Sequence, residues 1–271
     1  MIEDFILEDL GEGDQTTDYI FSKDKRGQLV MIAKEAGVFC GVAVIQKGFS
    51  LFDESIEIVM HASDGEQIKK GDQIAIINGT IADLLKGERV ILNIIQRMSG
   101  VATLTNRAVQ ELNSSHIKIC DTRKTTPGLR MLEKYAIRCG GGYNHRFGLY
   151  DGVMIKDNHI NFVGSIKQAV ERIRSQAGHM IKVEVETETK EQVIDAVAAK
   201  ADVIMFDNCR PEQIKEFIKL VPDSIITEAS GGIQLSDLSN YRDTGVDYIS
   251  LGFLTHSYPA LDISANVLID K

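Results

Sequence analysis

Two rhythms of apolar and polar positions divide the chain. Up to about residue 105, short apolar runs are punctuated by glycine, as in "RGQLVMIAKEAGVFCGVAVIQKGF" and "HASDGEQIKKGDQIAIINGTIADLL". β-Branched runs bracketed by turn residues predict hairpins. The glycine-acid turn occurs twice there, as "DGEQI" and "KGDQI". Next, "ADLLKGERVILNIIQRMSGVATLTNRAVQEL" sets Val90, Ile91, Ile94, Ile95 and Met98 at helical spacing, which predicts one or two helices.

From about residue 116 the rhythm changes. The short runs "HIKIC", "GVMIK", "IKVEVE", "DVIMFDN", "SIITEAS" and "DYISLG" alternate with amphipathic segments such as "SIKQAVERIRSQA", "KEQVIDAVAAK" and "PEQIKEFIKLV". Strand-helix alternation of this kind implies a parallel sheet. Six such runs over about 140 residues, with no GxGxxG fingerprint, favour a barrel over a dinucleotide-binding fold. The expected organisation is an α/β chain with an N-terminal domain over residues 1–105 and an α/β barrel over 106–271.

Chemistry-bearing residues collect where these strands end. Lys156 closes "GVMIK", Glu184 and Glu186 close "IKVEVE", and Asp207 closes "DVIMFDN". Glu228 and Ser230-Gly231-Gly232 follow "SIIT", and Gly252 ends "DYISLG". In a parallel barrel these positions share one mouth, where active sites form. Glu184 and Glu186 lie two apart and share a pleat face, so either can point inward. Exposed backbone N–H groups in the two late glycine loops can cradle a phosphate.

Charge sharpens the picture. The chain carries a formal net charge of −9, which argues against a nucleic-acid or anionic-membrane partner. Yet residues 121–159 hold seven Lys/Arg against four Asp/Glu. A local cationic cluster in an acidic chain points to a small anion. Arg123, Lys124, His145, Arg146 and Lys156 form that set. Arginine grips carboxylate or phosphate bidentately, and lysine acts as a point charge. Arg130, Lys134 and Arg138 are spaced like one solvated helix face. Glu186 and Asp207 are candidates for magnesium or ribose hydroxyls.

No apolar run approaches the length of a membrane span, and the acidic start lacks the basic region of a signal peptide. Cys40, Cys120, Cys139 and Cys209 make no CxxC pair, as expected of free thiols in a reducing cytoplasm.

The block "DTRKTTPGLRMLEKYAIRCGGGYNHRFGLYDGVMIKDNHI" closely resembles the signature of the quinolinate phosphoribosyltransferases, also called nicotinate-nucleotide pyrophosphorylases (carboxylating). "EDLGEGDQTT", "GERVILNIIQRMSGVATLT", "VEVET", "IMFDN", "EASGGI" and "GVDYISLGFLTHSYPALDIS" resemble further family segments in order. The resemblance implies an α/β sandwich followed by an incomplete, roughly seven-stranded α/β barrel, with residues 261–271 packing back onto the first domain. It implies conversion of quinolinate and phosphoribosyl pyrophosphate to nicotinate mononucleotide, carbon dioxide and pyrophosphate, with Mg2+ as cofactor. It also implies a homodimer or larger homo-oligomer. Arg123, Lys124, Thr125, His145, Arg146 and Lys156 would line the quinolinate and pyrophosphate region, with Arg89 reaching in from a partner subunit. Glu186 and Asp207 would hold ribose and metal. Ser230, Gly231, Gly232 and Gly252 would bind the 5′-phosphate. Lys124, Lys156, Glu186 and Asp207 would be catalytic. Two alternatives are a paralogue of the same fold encoded with molybdate-transport genes, and a non-catalytic binder of a phosphorylated metabolite. The complete cationic set and the carboxylate pair favour the quinolinate enzyme.

Overall fold

The computed structural model describes residues 1–22 and 24–268. Two compact units emerge. One comprises Met1–Leu104, Arg138–Gly141 and the chain from Tyr258 onward; the other comprises Thr105–Ile137 and Gly142–Ser257.

The first unit is built on antiparallel strands. β1 (Arg26–Ala33), β2 (Gly37–Val38), β3 (Glu57–Met60), β4 (Gln67–Ile68) and β5 (Gln73–Thr80) realise the expected hairpin pattern. Among the described residues, one sheet runs in the order Ile263–Leu268, β1, β5, β3, and β2 pairs with β4 in a second. The repeated glycine-acid turns each precede a strand. Gly65 and Gly71 take φ of 86° and 95°, a left-handed backbone that glycine adopts without strain. The C-terminal strand aligns Asn266 with Val30, so residues 263–268 close one edge of this sheet. Residues 269–271, the rest of the segment expected to pack back, lie outside the described residues.

The stretch expected to hold one or two helices is one helix, Ile81–Leu112. Its two internal glycines would ordinarily weaken it by about 1 kcal/mol each. Close packing explains both. A Cβ at Gly87 would sit 3.0 Å from Phe49 and Phe52, and one at Gly100 would strike the Pro259 carbonyl.

The second unit is parallel throughout. β6 (Lys118–Cys120), β7 (Val153–Ile155), β8 (Val183–Thr187), β9 (Val203–Asp207), β10 (Ile226–Ser230) and β11 (Tyr248–Ser250) form a sheet in the order β6, β11, β10, β9, β8, β7. Tyr143 adds a single parallel bridge to Cys120, so the seventh expected strand is one residue long. Helices Ile166–Arg174, Lys190–Ala198 and Pro211–Phe217 lie between the later strands, as their periodicity predicts. Val183, Val185, Ile204 and Phe206 are fully buried, the pattern of strands covered on both faces.

Candidate functional site

Strand register assembles the site. Glu186 and Glu228 both align with Met205, making one row across β8, β9 and β10. Asp207 aligns with Ser230 one step nearer the C-terminal strand ends. Side chains two apart share a face, so these rows point into one cavity of about 590 Å3. That volume suits a ligand of small-molecule size. Arg123, Lys124, His145, Arg146, Lys156, Glu186, Asp207, Ser230, Gly231, Gly232 and Gly252 all line it. Thr125 does not: its hydroxyl accepts from Arg130 Nε at 2.9 Å. Arg89 is also absent from the lining; it lies in the first unit, 65% exposed and 3.8 Å from Glu88.

The cationic wall is held from behind. Arg146 Nη1 donates to the Gly152 carbonyl at 2.8 Å, which fixes the guanidinium while leaving other donors for a ligand. Burial and the neighbouring Arg123 charge lower the Arg146 pKa, as expected where two cations converge. Across the cavity Lys156 Nζ pairs with Glu186. The carboxyl of Asp207 is raised above the usual range by burial and then by the charges of Glu186 and Glu188.

Beneath the wall lies a group that the strand-end pattern does not rank. His145 Nε2 stands 3.2 Å from Glu184 Oε2 and 3.6 Å from Glu228 Oε1. Both glutamates are buried, at 6% and 4% exposure. Glu228 sits inside β10 rather than after the strand. Burial, followed by the Glu184 charge, pushes its carboxyl up to about 7. For His145, burial works against the charged ring. The Glu184 hydrogen bond and the charges of Glu228 and Glu184 outweigh it and raise the pKa. Arg146 N–H donates to His145 Nδ1 at 2.8 Å, so the neutral ring is the Nε2–H tautomer facing Glu184. The two carboxylates thereby separate: Glu186 lines the cavity, and Glu184 serves His145 below it.

Lys134 corrects the solvated-face expectation. It is fully buried and donates to Asp121 Oδ1 at 2.6 Å and to the His145 carbonyl at 2.9 Å. Arg130 is half-buried and also has partners, donating to the Phe147 carbonyl at 2.9 Å. Arg138 alone of the three keeps an exposed position, in the first unit. Sequence patterning also passes over Asp121 and His256, the latter a cavity-lining residue. Asp121 does carry one signal, since it ends the run that opens onto Arg123.

The glycine loops are sterically specified. Gly231 has φ of 87°, and a Cβ there would lie 2.6 Å from Asn208 N and 2.7 Å from Asp207 Oδ1, with Asn208 Oδ1 closer still. A Cβ at Gly252 would reach Lys124 Cδ at 3.0 Å. At Gly231 only bare backbone fits, so the rim can come close to a ligand there.

The site therefore offers a cationic wall, converging carboxylates and a glycine-lined rim. The carboxylate oxygens of Glu186 and Asp207 are hard donors. Burial and then the Glu186 charge raise Asp207, and both costs are ones that a bound divalent cation would offset, so these residues fit magnesium. Among the described residues no helix is long and apolar enough to cross a membrane.

Comparison with known proteins covers nearly the whole chain. Residues 14–99 match the family model for the quinolinate phosphoribosyl transferase N-terminal domain, and residues 101–266 match that for the C-terminal domain. A probable nicotinate-nucleotide pyrophosphorylase (carboxylating) of Bacillus subtilis is 57% identical over 271 residues, covering 100% of this chain and 93% of the relative. A mitochondrial quinolinate phosphoribosyltransferase (decarboxylating) of Nicotiana tabacum is 38% identical, covering 97% of this chain and 80% of the relative. The crystal structure of NadC from Streptococcus pyogenes superposes with a TM-score of 0.97 at 41% identity, covering 100% and 96% of the two chains.

Proposed function

The chain belongs to the quinolinate phosphoribosyltransferase family, and on that premise we propose that it transfers the phosphoribosyl group of phosphoribosyl pyrophosphate to quinolinate with loss of carbon dioxide. The products are nicotinate mononucleotide, carbon dioxide and pyrophosphate, a step of NAD biosynthesis. The observation that carries this reading is a single cavity lined by both Arg123–Lys124–Arg146 and Glu186–Asp207. A dianionic acid needs the first set, and a ribose bearing a pyrophosphate needs the second.

The roles follow from charge. Arg123 and Arg146, with His145, hold the two quinolinate carboxylates and aim the ring nitrogen at the anomeric carbon. Gly231, Gly232 and Gly252 present backbone N–H groups to the 5′-phosphate, with Ser230 beside them. Glu186 and Asp207 face the ribose hydroxyls, and fixed carboxylates there favour the positive charge that develops on the sugar. Lys124 and Lys156 stabilise the departing pyrophosphate. Glu186 and Asp207 would hold Mg2+, which when bound would add charge stabilisation to that leaving group. Once the carbon–nitrogen bond forms, the pyridinium nitrogen is positive. Its charge stabilises the electron pair that stays on the adjacent ring carbon as carbon dioxide departs, and that pair then takes up a proton. No protein nucleophile is required. The enzyme acts as a cytoplasmic homodimer or larger homo-oligomer, with Arg89 contributed by the partner subunit.

The test is incubation of purified protein with quinolinate, phosphoribosyl pyrophosphate and magnesium, following nicotinate mononucleotide and carbon dioxide. Equal amounts of both are expected. A folded protein that binds phosphoribosyl pyrophosphate yet leaves quinolinate untouched would move the assignment to another aromatic acid.

A further inference from the structure

The residues facing the proposed substrate sit on a loop whose backbone is gripped by an interior ion pair. We propose that Asp121 and Lys134 are positioning residues: they clamp the peptide of His145, and through it set the geometry with which His145 and Arg146 receive the quinolinate carboxylates. The inference rests on the proposed reaction for its substrate.

The geometry is specific to one residue. Asp121 Oδ1 accepts the His145 N–H at 2.8 Å, while Lys134 Nζ donates to the His145 carbonyl at 2.9 Å. The two charges bind each other at 2.6 Å, and both side chains are fully buried. Both backbone groups of His145 are therefore held by the same pair. Asn144 extends the grip, donating to Asp121 Oδ2 at 2.7 Å and to the Lys134 carbonyl at 2.9 Å. Asp121 ends the run after β6, whereas Lys134 lies on helix Arg130–Cys139. The clamp thus ties a loop with little regular structure to two rigid elements. Such support is what holds a binding group within a fraction of an ångström of its working position.

A buried ion pair is poor evidence for stability, because desolvation cancels most of its attraction. An apolar or neutral pair of similar size would hold the fold as well. What the charges add is two strong hydrogen bonds to a backbone that must not move. A second observation agrees: the Arg146 backbone N–H donates to His145 Nδ1 at 2.8 Å, so the clamped residue is tied directly to the backbone from which Arg146 reaches the cavity.

The experiment compares wild type with Lys134→Met and with the neutral double variant Asp121→Asn/Lys134→Met. The single variant strands a buried carboxylate and loses thermal stability; the double variant regains most of it. The proposal expects function not to return with stability. In the double variant KM for quinolinate rises about tenfold or more, while KM for phosphoribosyl pyrophosphate shifts by less than about twofold. NMR of 15N-histidine-labelled protein reads the clamp without substrate: the His145 Nε2–H signal, hydrogen-bonded to Glu184 in wild type, should shift or broaden. Asn144→Ser, at a half-buried position, is the milder variant should the others not fold, and it should raise the quinolinate KM severalfold. Wild-type quinolinate KM in a folded double variant or in Asn144→Ser, with the His145 signal unmoved, would overturn the proposal. A wild type inactive on quinolinate would refute the proposed reaction instead, leaving the histidine signal to decide the clamp.

Discussion

His145 shows how a single side chain reports on its neighbours. It lines the cavity on one side, and behind it lie two buried glutamates. Glu228 holds its proton up to about 7, first because it is buried and then because Glu184 is charged. A carboxyl that binds its proton more tightly folded than unfolded adds stability below its unfolded value of about 4.5, and that contribution is lost as pH rises towards 7. His145, raised in the fold, acts with the same sign: its contribution is complete below about 6.5 and lost as pH climbs through the folded value. Stability should therefore fall from about pH 4.5 to pH 7, by up to roughly 3 kcal/mol from Glu228 at 1.36 kcal/mol per pKa unit, and the His145 contribution is lost above about pH 6.5. Glu228→Gln, a fixed neutral mimic, should flatten that slope in thermal melts; an unchanged slope would count against the assignment. At the same scale, Arg146→Ala should cut kcat/KM for quinolinate by about 100-fold or more, the worth of a bidentate charge-assisted contact. Circular dichroism should remain that of wild type, since the side chain is only half-buried.

Individual elements explain which parts of the site are readable in sequence. Lys156, Glu186, Asp207, Ser230 and Gly252 are legible because parallel strands put their C-terminal ends at one mouth. Lys134 is not legible. Its i, i+4 spacing with Arg130 and Arg138 is that of an exposed face, and burial is decided by Asp121, thirteen residues earlier, which no local pattern reveals. Glu228 reads as lying past its strand because a charged residue inside a buried strand breaks the apolar pattern, and its tolerance depends on His145. The glycine loop after β10 reads as a turn or a cradle; the structure adds that its two glycines are not equivalent. Gly231 combines positive φ with atoms inside 3 Å of where a methyl group would stand, whereas at Gly232, with φ of 65°, the nearest atom is 4.0 Å away. Gly232→Ala should cost about 1 kcal/mol of backbone strain. Gly231→Ala should cost more, about 2–4 kcal/mol including displacement of Asn208, and should raise KM for phosphoribosyl pyrophosphate. Chemical denaturation and steady-state kinetics would separate the two; equal losses would remove the steric argument.

For the whole molecule, local patterning runs out. Strand Ile263–Leu268 pairs with β1 more than two hundred residues earlier, an association that only the family resemblance anticipates. Arg89 poses the same problem for function. It is 65% exposed in the first unit and lines no part of the cavity, yet the proposed enzyme draws on it across a dimer. The consequence can be counted. Arg89→Ala and Arg146→Ala should each be inactive alone. In a mixed dimer with two-fold symmetry, one site receives both substituted residues and the other receives neither. Equal mixing with full subunit exchange should then restore about a quarter of wild-type activity, since about half of the dimers are mixed and each has one intact site. If Arg89 instead serves the barrel of its own chain, each site in the mixed dimer lacks one arginine and no activity returns. Exchange proved by differently labelled subunits, together with an inactive mixture, would therefore place Arg89 outside a shared site, whereas a recovery near one quarter would require the partner subunit to complete it.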